Sequence, residues 1–270
     1  MGTIQLEVLK GIIEDRFGEV VDFGPREVIY QETIEEAAIG RGHYEPLKHY
    51  AEVHVRLEPG SLGSGLVFES ACHSHQLGGS QQNLVKQYAL EQTPVGVLVG
   101  AQLTDLKITL LTGAIHEKHT QGGDLLEATS RAIRQGLEKV TSKLLEPYYD
   151  VKIVVELGLM GRVLTDIQKA FGTFENPEMS EMSCLITAKV PVATFMDYSI
   201  EFLSFTKGRG QIHLQVSDYA ICHNPEEVIE CMNYRREEDR RYPSASIFCA
   251  KGSGFVVPWE EADFYMHLES

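Results

Sequence analysis

Two short polar segments hold the residues best suited to chemistry. Cys72, His73 and His75 stand in CHSHQLGG, and His116 and His119 in GAIHEKHTQGGD. Four imidazoles and a thiol are donors enough for a zinc ion. Neither segment has a recognised ligand spacing, so no metal ligand is assigned. Solvated loop histidines are the simpler reading. An unpaired imidazole also donates, accepts and stacks, which suits contact with unstacked RNA bases. A third group, Lys207-Gly208-Arg209, follows the end of a helix. Cations there complement the negative end of the helix dipole; the same pair could hold an RNA backbone. Elsewhere the patterns are incomplete. GSLGSG (60–65) has the glycines of a phosphate loop but no following Lys-Ser or Lys-Thr, and reads as a strand-connecting turn. No nucleophile elbow (Gly-x-Ser-x-Gly) occurs, and the carboxylates are spread over helix faces. No catalytic residue is assigned.

The elements that must position these loops follow from periodicity and punctuation. Residues 3–8 alternate as a strand, 8–17 read as a short amphipathic helix with Val8, Ile12 and Phe17 on one face, and 19–23 as a strand. A turn at Gly24-Pro25 leads to a strand over 26–33. Residues 40–46 (GRGHYEP) read as a loop, 47–60 as a strand, and 60–70 as a turn and a strand. Ser80 is expected to cap a helix over 80–92. A strand at 105–112 leads into the 113–124 loop. Asp124, with Glu127 three residues on, is expected to cap the next helix, whose buried stripe is Leu126, Ile133, Leu137, Val140 and Leu144. That helix runs to Glu146. Pro147 cannot continue it, so the chain changes layer there. An alternating strand, YDVKIVVE, leaves. A helix over 159–172 closed by Gly172, a strand over 182–190, a helix after Pro191 and a strand over 210–221 follow. The order strand, helix, strand, strand, helix, strand is ferredoxin-like. Residues 224–241 are a charged helix candidate, and 246–267 an apolar tail that packs back on the body.

The 270 residues suffice for two or three domains. With 43% hydrophobic and 23% charged residues, the chain has the composition of a soluble globular protein. It has no run of about 18 apolar residues to span a membrane, and its start lacks the pattern of a secretory signal. The five scattered cysteines read as reduced thiols of a cytoplasmic protein. A net charge of −15 argues against a general nucleic-acid binder. Any RNA contact must come from a few local loops. The first strand–helix–strand cannot bury a core alone, so the chain is expected to be a piece of a longer protein.

Several segments together resemble the C-terminal half of elongation factor G. They are VIYQET (28–33), RLEPGS (56–61), DLKITLLTG with its polar loop and helix, LLEP (144–147) and VPVATFMDYSIEFLSFTKGRG (190–210), in that factor's order and at about its spacing. GHYEPLKHYAEVHV, HTQGGDLLEAT and SIFCAKGSGFVVPW are more similar to the tetracycline ribosomal protection proteins. The resemblance covers roughly residues 1–222 and implies an α+β chain. Residues 1–23 would be part of domain III, a partial ferredoxin-like segment. Residues 24–143 would be domain IV, an S5-like α/β domain with a left-handed βαβ crossover. Residues 144–222 would be domain V, ferredoxin-like (βαββαβ), and 223–270 a C-terminal extension.

The resemblance also implies a cytoplasmic protein that binds the ribosome through 16S and 23S rRNA, and neither membranes nor DNA. It implies no cofactor in this chain. GTP and Mg would belong to a GTPase domain outside it, its working partner. The 113–124 loop would be a tip entering the decoding region, with Ile115, His116, Glu117, Lys118 and His119 as the key stretch. His116 stands where the translocase has its tip histidine. The best-known protection proteins carry Ser-Pro-Val where this chain has Glu117-Lys118-His119. His73, His75 and Gln76 would lie beside the tip, and Lys207 and Arg209 would contact large-subunit RNA. The implied role is ribosomal protection against tetracycline, an antibiotic-resistance function. The alternatives are a translocation factor, or a freestanding metal- or small-molecule-binding protein built on the same folds.

Overall fold

The computed structural model describes residues 3–24 and 26–269. Pro25, of the turn expected at 24–25, lies outside the described residues. Thr3–Phe17 form one helix, α1, in place of the expected strand and short helix. Residues 19–23 are not a strand either. A strand needs a neighbour for its amides, and no described strand pairs with this stretch. A helix pairs its own backbone groups. Val8, Ile12 and Phe17 are exposed.

Four strands follow: β1 (Gln31–Ile34), β2 (Ala38–Tyr44), β3 (Ala51–Pro59) and β4 (Leu66–Ser70). Helix α2 (Gly79–Glu91), β5 (Gln102–Leu103), β6 (Leu106–Ile115) and α3 (Asp124–Glu138) lead to the long strand β7 (Ser142–Glu156). Then come α4 (Met160–Lys169), β8 (Thr173–Phe174), β9 (Glu178–Met179), β10 (Ser183–Pro191), α5 (Val192–Phe195), α6 (Tyr198–Thr206) and β11 (Gln211–Ile221). The chain continues through α7 (Pro225–Met232), β12 (Ser246–Ala250), β13 (Ser253–Val257) and α8 (Trp259–Ala262). No helix among the described residues is long and apolar enough to cross a membrane.

Two sheets make this an α+β chain. One runs β13-β12-β2-β3-β6-β4. One of its parallel pairs, β4 and β6, is joined through α2, and the other is β12 with β2. Its core joins Val53, Val55 and Leu57 of β3 to Ile108 and Leu110 of β6 and to Val85, Ala132 and Ile133 of α2 and α3. The segment expected as a loop at 40–46 is largely strand β2, and its glycines are packing residues. A Cβ on Gly40 would lie 1.9 Å from the Ala132 carbonyl oxygen, and one on Gly42 2.0 Å from that of Ala128. Helix backbone thus rests directly on strand backbone, which only glycine allows.

The other sheet runs β5-β1-β7-β10-β8, with β11 on β7 and β9 on β10. Strands β7, β8, β10 and β11 with α4 and α6 form the expected ferredoxin-like unit. Its core is Val151, Ile153 and Val155 against Val163, Ile167, Ile186 and Phe202.

Strand β7 passes unbroken through Pro147, and the helix expected to reach Glu146 stops at Glu138. Leu145 pairs with both Gln31 and Ile221, so β1 and β11 lie on opposite edges of β7. Pro147 falls between the end of β1 pairing at Leu145 and the start of β10 pairing at Tyr148, and faces a bulge in β11 between Val216 and Tyr219. A residue without an N–H is tolerated where the ladder is already interrupted.

Other expectations shift by a residue or a break. Gly78, not Ser80, precedes α2, and Gly123 (φ 99°) precedes α3, which makes Asp124 its first residue. Phe171 (φ 59°), not Gly172, takes the left-handed position after α4. The helix after Pro191 is two pieces, and the charged helix ends at Met232 with Asn233 at φ 46°. The apolar tail does pack back, as β12, β13 and α8.

Gly40→Ala should therefore cost about 3 kcal/mol or more in denaturant unfolding, because the helix must lift off the strand. Gly161→Ala, with nothing within 4 Å of the added carbon on a helix, should be neutral or stabilising by up to about 1 kcal/mol.

Candidate nucleic-acid interface

Parallel strands β4 and β6 finish at one end of their sheet, where the helices that follow them, α2 and α3, begin. The loops between, 71–78 and 116–123, therefore share that end. Both histidine segments are brought together beside two helix N-termini, each carrying partial positive charge. Leu77 is buried and fixes the first loop near the stem of the second, since a Cβ on Gly113 would lie 3.2 Å from Leu77 Cδ2.

The second loop is built from short-range hydrogen bonds. The amides of His119 and Thr120 donate to the His116 carbonyl at 3.0 and 2.8 Å. The His116 amide donates to Thr120 Oγ1 at 2.8 Å. The Lys118 amide donates to His116 Nδ1 at 3.2 Å, which leaves Nε2 of that ring as the donor. Thr120 Oγ1 donates to the Tyr50 carbonyl at 2.5 Å, and Gln121 Nε2 to the Lys48 carbonyl at 3.3 Å. Asp124 Oδ1 lies 2.8 Å from His49 Nδ1. The loop is thus stapled to the 48–50 turn.

His116, Glu117, Lys118 and His119 are exposed, and Ile115 is half-buried. His73, His75 and Gln76 are exposed on the neighbouring loop. The His116 and His119 rings are 4.4 Å apart, and those of His73 and His75 5.4 Å. The two pairs do not converge as ligands. The ligand groups that converge among the described residues are His43, Glu52, His267 and Glu146, Cys222, His223. On a chain of net charge −15, residues 71–82 carry no acidic or basic side chain besides histidine, and 113–123 carry one Glu and one Lys. This end is a gap in the acidic surface. Sequence reasoning missed Gln81, Leu84 and Tyr88 of α2, which line a cleft of about 260 Å³ with residues 115–117 and 120–123. Leu84 and Tyr88 share a helix face by their spacing alone, and Gln81 carries no signal of its own.

Beneath the loop lies a buried carboxylate. Glu52 pairs with Ala114 in the β3–β6 ladder. It accepts from His43 Nδ1 at 2.7 Å, from His54 Nε2 at 2.9 Å, and from the amides of His267 and Leu268 at 3.0 and 2.9 Å. Burial alone would raise its pKa. The four donors outweigh burial and hold the carboxyl well below its ordinary value of 4.5. His43 also stacks on Phe248, centroids 4.3 Å apart. One carboxylate therefore ties the strands that carry the tip to the C-terminal segment. A lone Glu in an alternating strand gave no sign of this.

Lys207 and Arg209 lie elsewhere, in the ferredoxin-like unit. Lys207 (φ 54°) closes α6, and its amide donates to the Ser204 carbonyl at 3.3 Å. Arg209 Nη1 lies 3.3 Å from Glu156 Oε1, and both basic side chains are exposed.

Glu52→Gln should cost about 3 kcal/mol, because four donors then face one neutral acceptor and a second donor group. It should also expose residues 264–269 to proteolysis. In the wild type the depressed carboxyl pKa gives stability that is complete above about pH 4.5. That stability is lost as pH falls further. A pH series of unfolding midpoints should show this acid slope, and the Gln variant should lack that part of it.

Comparison with known proteins bears on both units. The family model described as Elongation factor G, domain IV matches residues 25–141. The model described as Elongation factor G C-terminus matches residues 143–228. A protein of Thermus thermophilus solved by crystallography superposes with a TM-score of 0.74 at 27% identity, over 86% of this chain and 36% of that one. The chain thus spans about a third of that protein's length. Residues 25–141, which carry the tip loops, are thus similar to elongation factor G domain IV, and residues 143–228 to the elongation factor G C-terminus.

Proposed function

We propose that this chain is the ribosome-binding part of a translational GTPase, and that the loops at 71–78 and 116–123 enter the decoding region of the small subunit. The observation that carries the reading is the tip itself. It is a nearly uncharged, histidine-bearing end of an acidic molecule, backed by two helix N-termini, on a sheet of the domain IV family. An acidic body can dock on RNA where such an end makes the contact and the rest stays in solvent. Ile115, His116, Glu117, Lys118 and His119 would meet 16S rRNA, with His73, His75 and Gln76 beside them. Lys207 and Arg209 would contact 23S rRNA.

GTP and Mg²⁺ would act in another domain of the whole protein, in the cytoplasm. The glycine-rich 60–65 segment here is a turn whose Gly63 and Gly65 amides donate to the Asp105 carboxylate at 3.1 and 2.9 Å, leaving them unavailable to phosphate. The duty we propose is ribosomal protection against tetracycline, supported by the likeness of the segments around the tip and of the C-terminal tail to that branch. Translocation is the second reading, favoured by His116 and by Glu117-Lys118-His119 in place of Ser-Pro-Val.

The test uses the whole protein, GTPase domain included, with purified ribosomes translating with and without tetracycline. Wild type should restore translation. Replacing residues 115–119 by alanine should abolish rescue and weaken ribosome binding about tenfold, or about 1.4 kcal/mol. Ribosome-stimulated GTP hydrolysis without rescue would select translocation. No co-sedimentation with ribosomes would overturn both readings.

A further inference from the structure

A second buried carboxylate, in the seam between the two units, is left half satisfied. Glu146 stands on β7 just before Pro147. Its Oε1 accepts from the His223 amide at 2.8 Å and lies 2.7 Å from His223 Nδ1. Its Oε2 is buried and has no hydrogen-bond partner. The side chain is 1% exposed. Cys222, also buried, ends the same turn, and its thiol donates only to Asn224 Oδ1, at 3.6 Å. Glu146, Cys222 and His223 each offer one ligand atom, and the three atoms lie within 4.8 Å of one another.

Cys222 packs with Val99, Leu144 and Val228, and Tyr30 lies against this apolar cluster, so none of these neighbours supplies a positive charge. A buried, unpartnered carboxylate oxygen beside this cluster costs free energy unless something positive meets it. The contrast with Glu52 is direct. His43, Glu52 and His267 are equally close, but both Glu52 oxygens are already satisfied by four donors. A cation there would break good bonds, whereas at Glu146 it would complete them.

We propose that Glu146 Oε2, Cys222 Sγ and a ring nitrogen of His223 form a divalent metal site suited to Zn²⁺, with water or Cys231 as the fourth donor. Carboxylate oxygen, imidazole and thiolate are the donors zinc selects, at about 2.0–2.3 Å. Drawing ligands together to the tetrahedral spacing of about 3.5 Å takes side-chain shifts of about 1 Å from the arrangement seen. Binding forms metal–sulfur, metal–nitrogen and metal–oxygen bonds and releases the thiol proton to water, with no change of oxidation state. The ion would pin β7 to the start of α7, where the chain turns back from the ferredoxin-like unit toward the first sheet.

The experiment is a titration of the full chain, freed of metal by chelation, with Co²⁺ as a spectroscopic stand-in for Zn²⁺. A thiolate-to-cobalt charge-transfer band should grow to about one Co²⁺ per chain and be displaced by Zn²⁺. It should vanish in Cys222→Ser and weaken at least about tenfold in affinity in Glu146→Gln, with far-ultraviolet circular dichroism unchanged. It should persist in Cys72→Ser and in a variant with alanine at His73, His75, His116 and His119. Absence of the band in the wild type overturns the proposal, whatever the variants do. So does a band that survives Cys222→Ser.

Discussion

The contact on which this molecule depends is the seating of α3 on β2. Gly40 and Gly42 present bare backbone, and Ala128, Ala132 and Gly136 meet it from the helix at four-residue spacing. No side chain separates the layers, so the helix axis sits closer to the sheet than larger residues would allow. The consequence reaches the tip. The N-terminus of α3 begins where β6 ends, and the loop between is stapled to the turn that joins β2 to β3. Lifting α3 by the width of a methyl group would move one wall of that end relative to the other. A loop built of a threonine hydroxyl, a glutamine and an aspartate has little apolar area of its own to resist this.

Close packing on one face also explains why α3 is polar where it should be apolar. Arg131, Arg134 and Gln135 are all buried, because other segments cover the side of the helix away from the sheet. Arg134 Nη1 donates to the carbonyls of Val95 and Gly96 at 3.0 and 2.8 Å. Gln135 accepts from the Arg41 amide and donates to the Trp259 carbonyl and to Asp263. Glu32, buried nearby, accepts from the amides of Leu98, Val99 and Ala101. Arg134 and Glu32 thereby satisfy backbone of the 95–101 loop, which has no ladder of its own. The C-terminal segment is held by the same means, through Asp263, through Arg131 to the Ala245 carbonyl, and through Glu52. It is bound more by buried polar contacts than by the small apolar cluster of Phe248, Val257 and Ala262.

The ferredoxin-like unit shows the opposite economy. Its core is apolar and alternates cleanly along β7 and β10. Of its exposed cations, Lys207 sits at a helix end and Arg209 beside Glu156. One chain thus joins an apolar unit that reads plainly from periodicity to a polar-braced unit that does not.

The sequence by itself determined the ferredoxin-like order, the tail that returns and the two histidine loops. Each rests on local signals: period-two alternation, helical spacing, and glycine-rich polar breaks. It misread every place where a distant contact overrides a local one. Gly40 and Gly42 looked like a turn because their partner is a helix far along the chain. Residues 3–8 looked like a strand because nothing local says whether a neighbour exists to pair with it. Pro147 looked like the end of a helix because only the sheet reveals a gap between β1 and β10 at that rung. Glu52 and Glu146 gave no sign of burial because burial of a carboxylate depends on donors supplied from other elements. Tertiary structure alone decided those positions, since close approach, pairing and desolvation are properties of residues brought together in space, and the chain records them only one residue at a time.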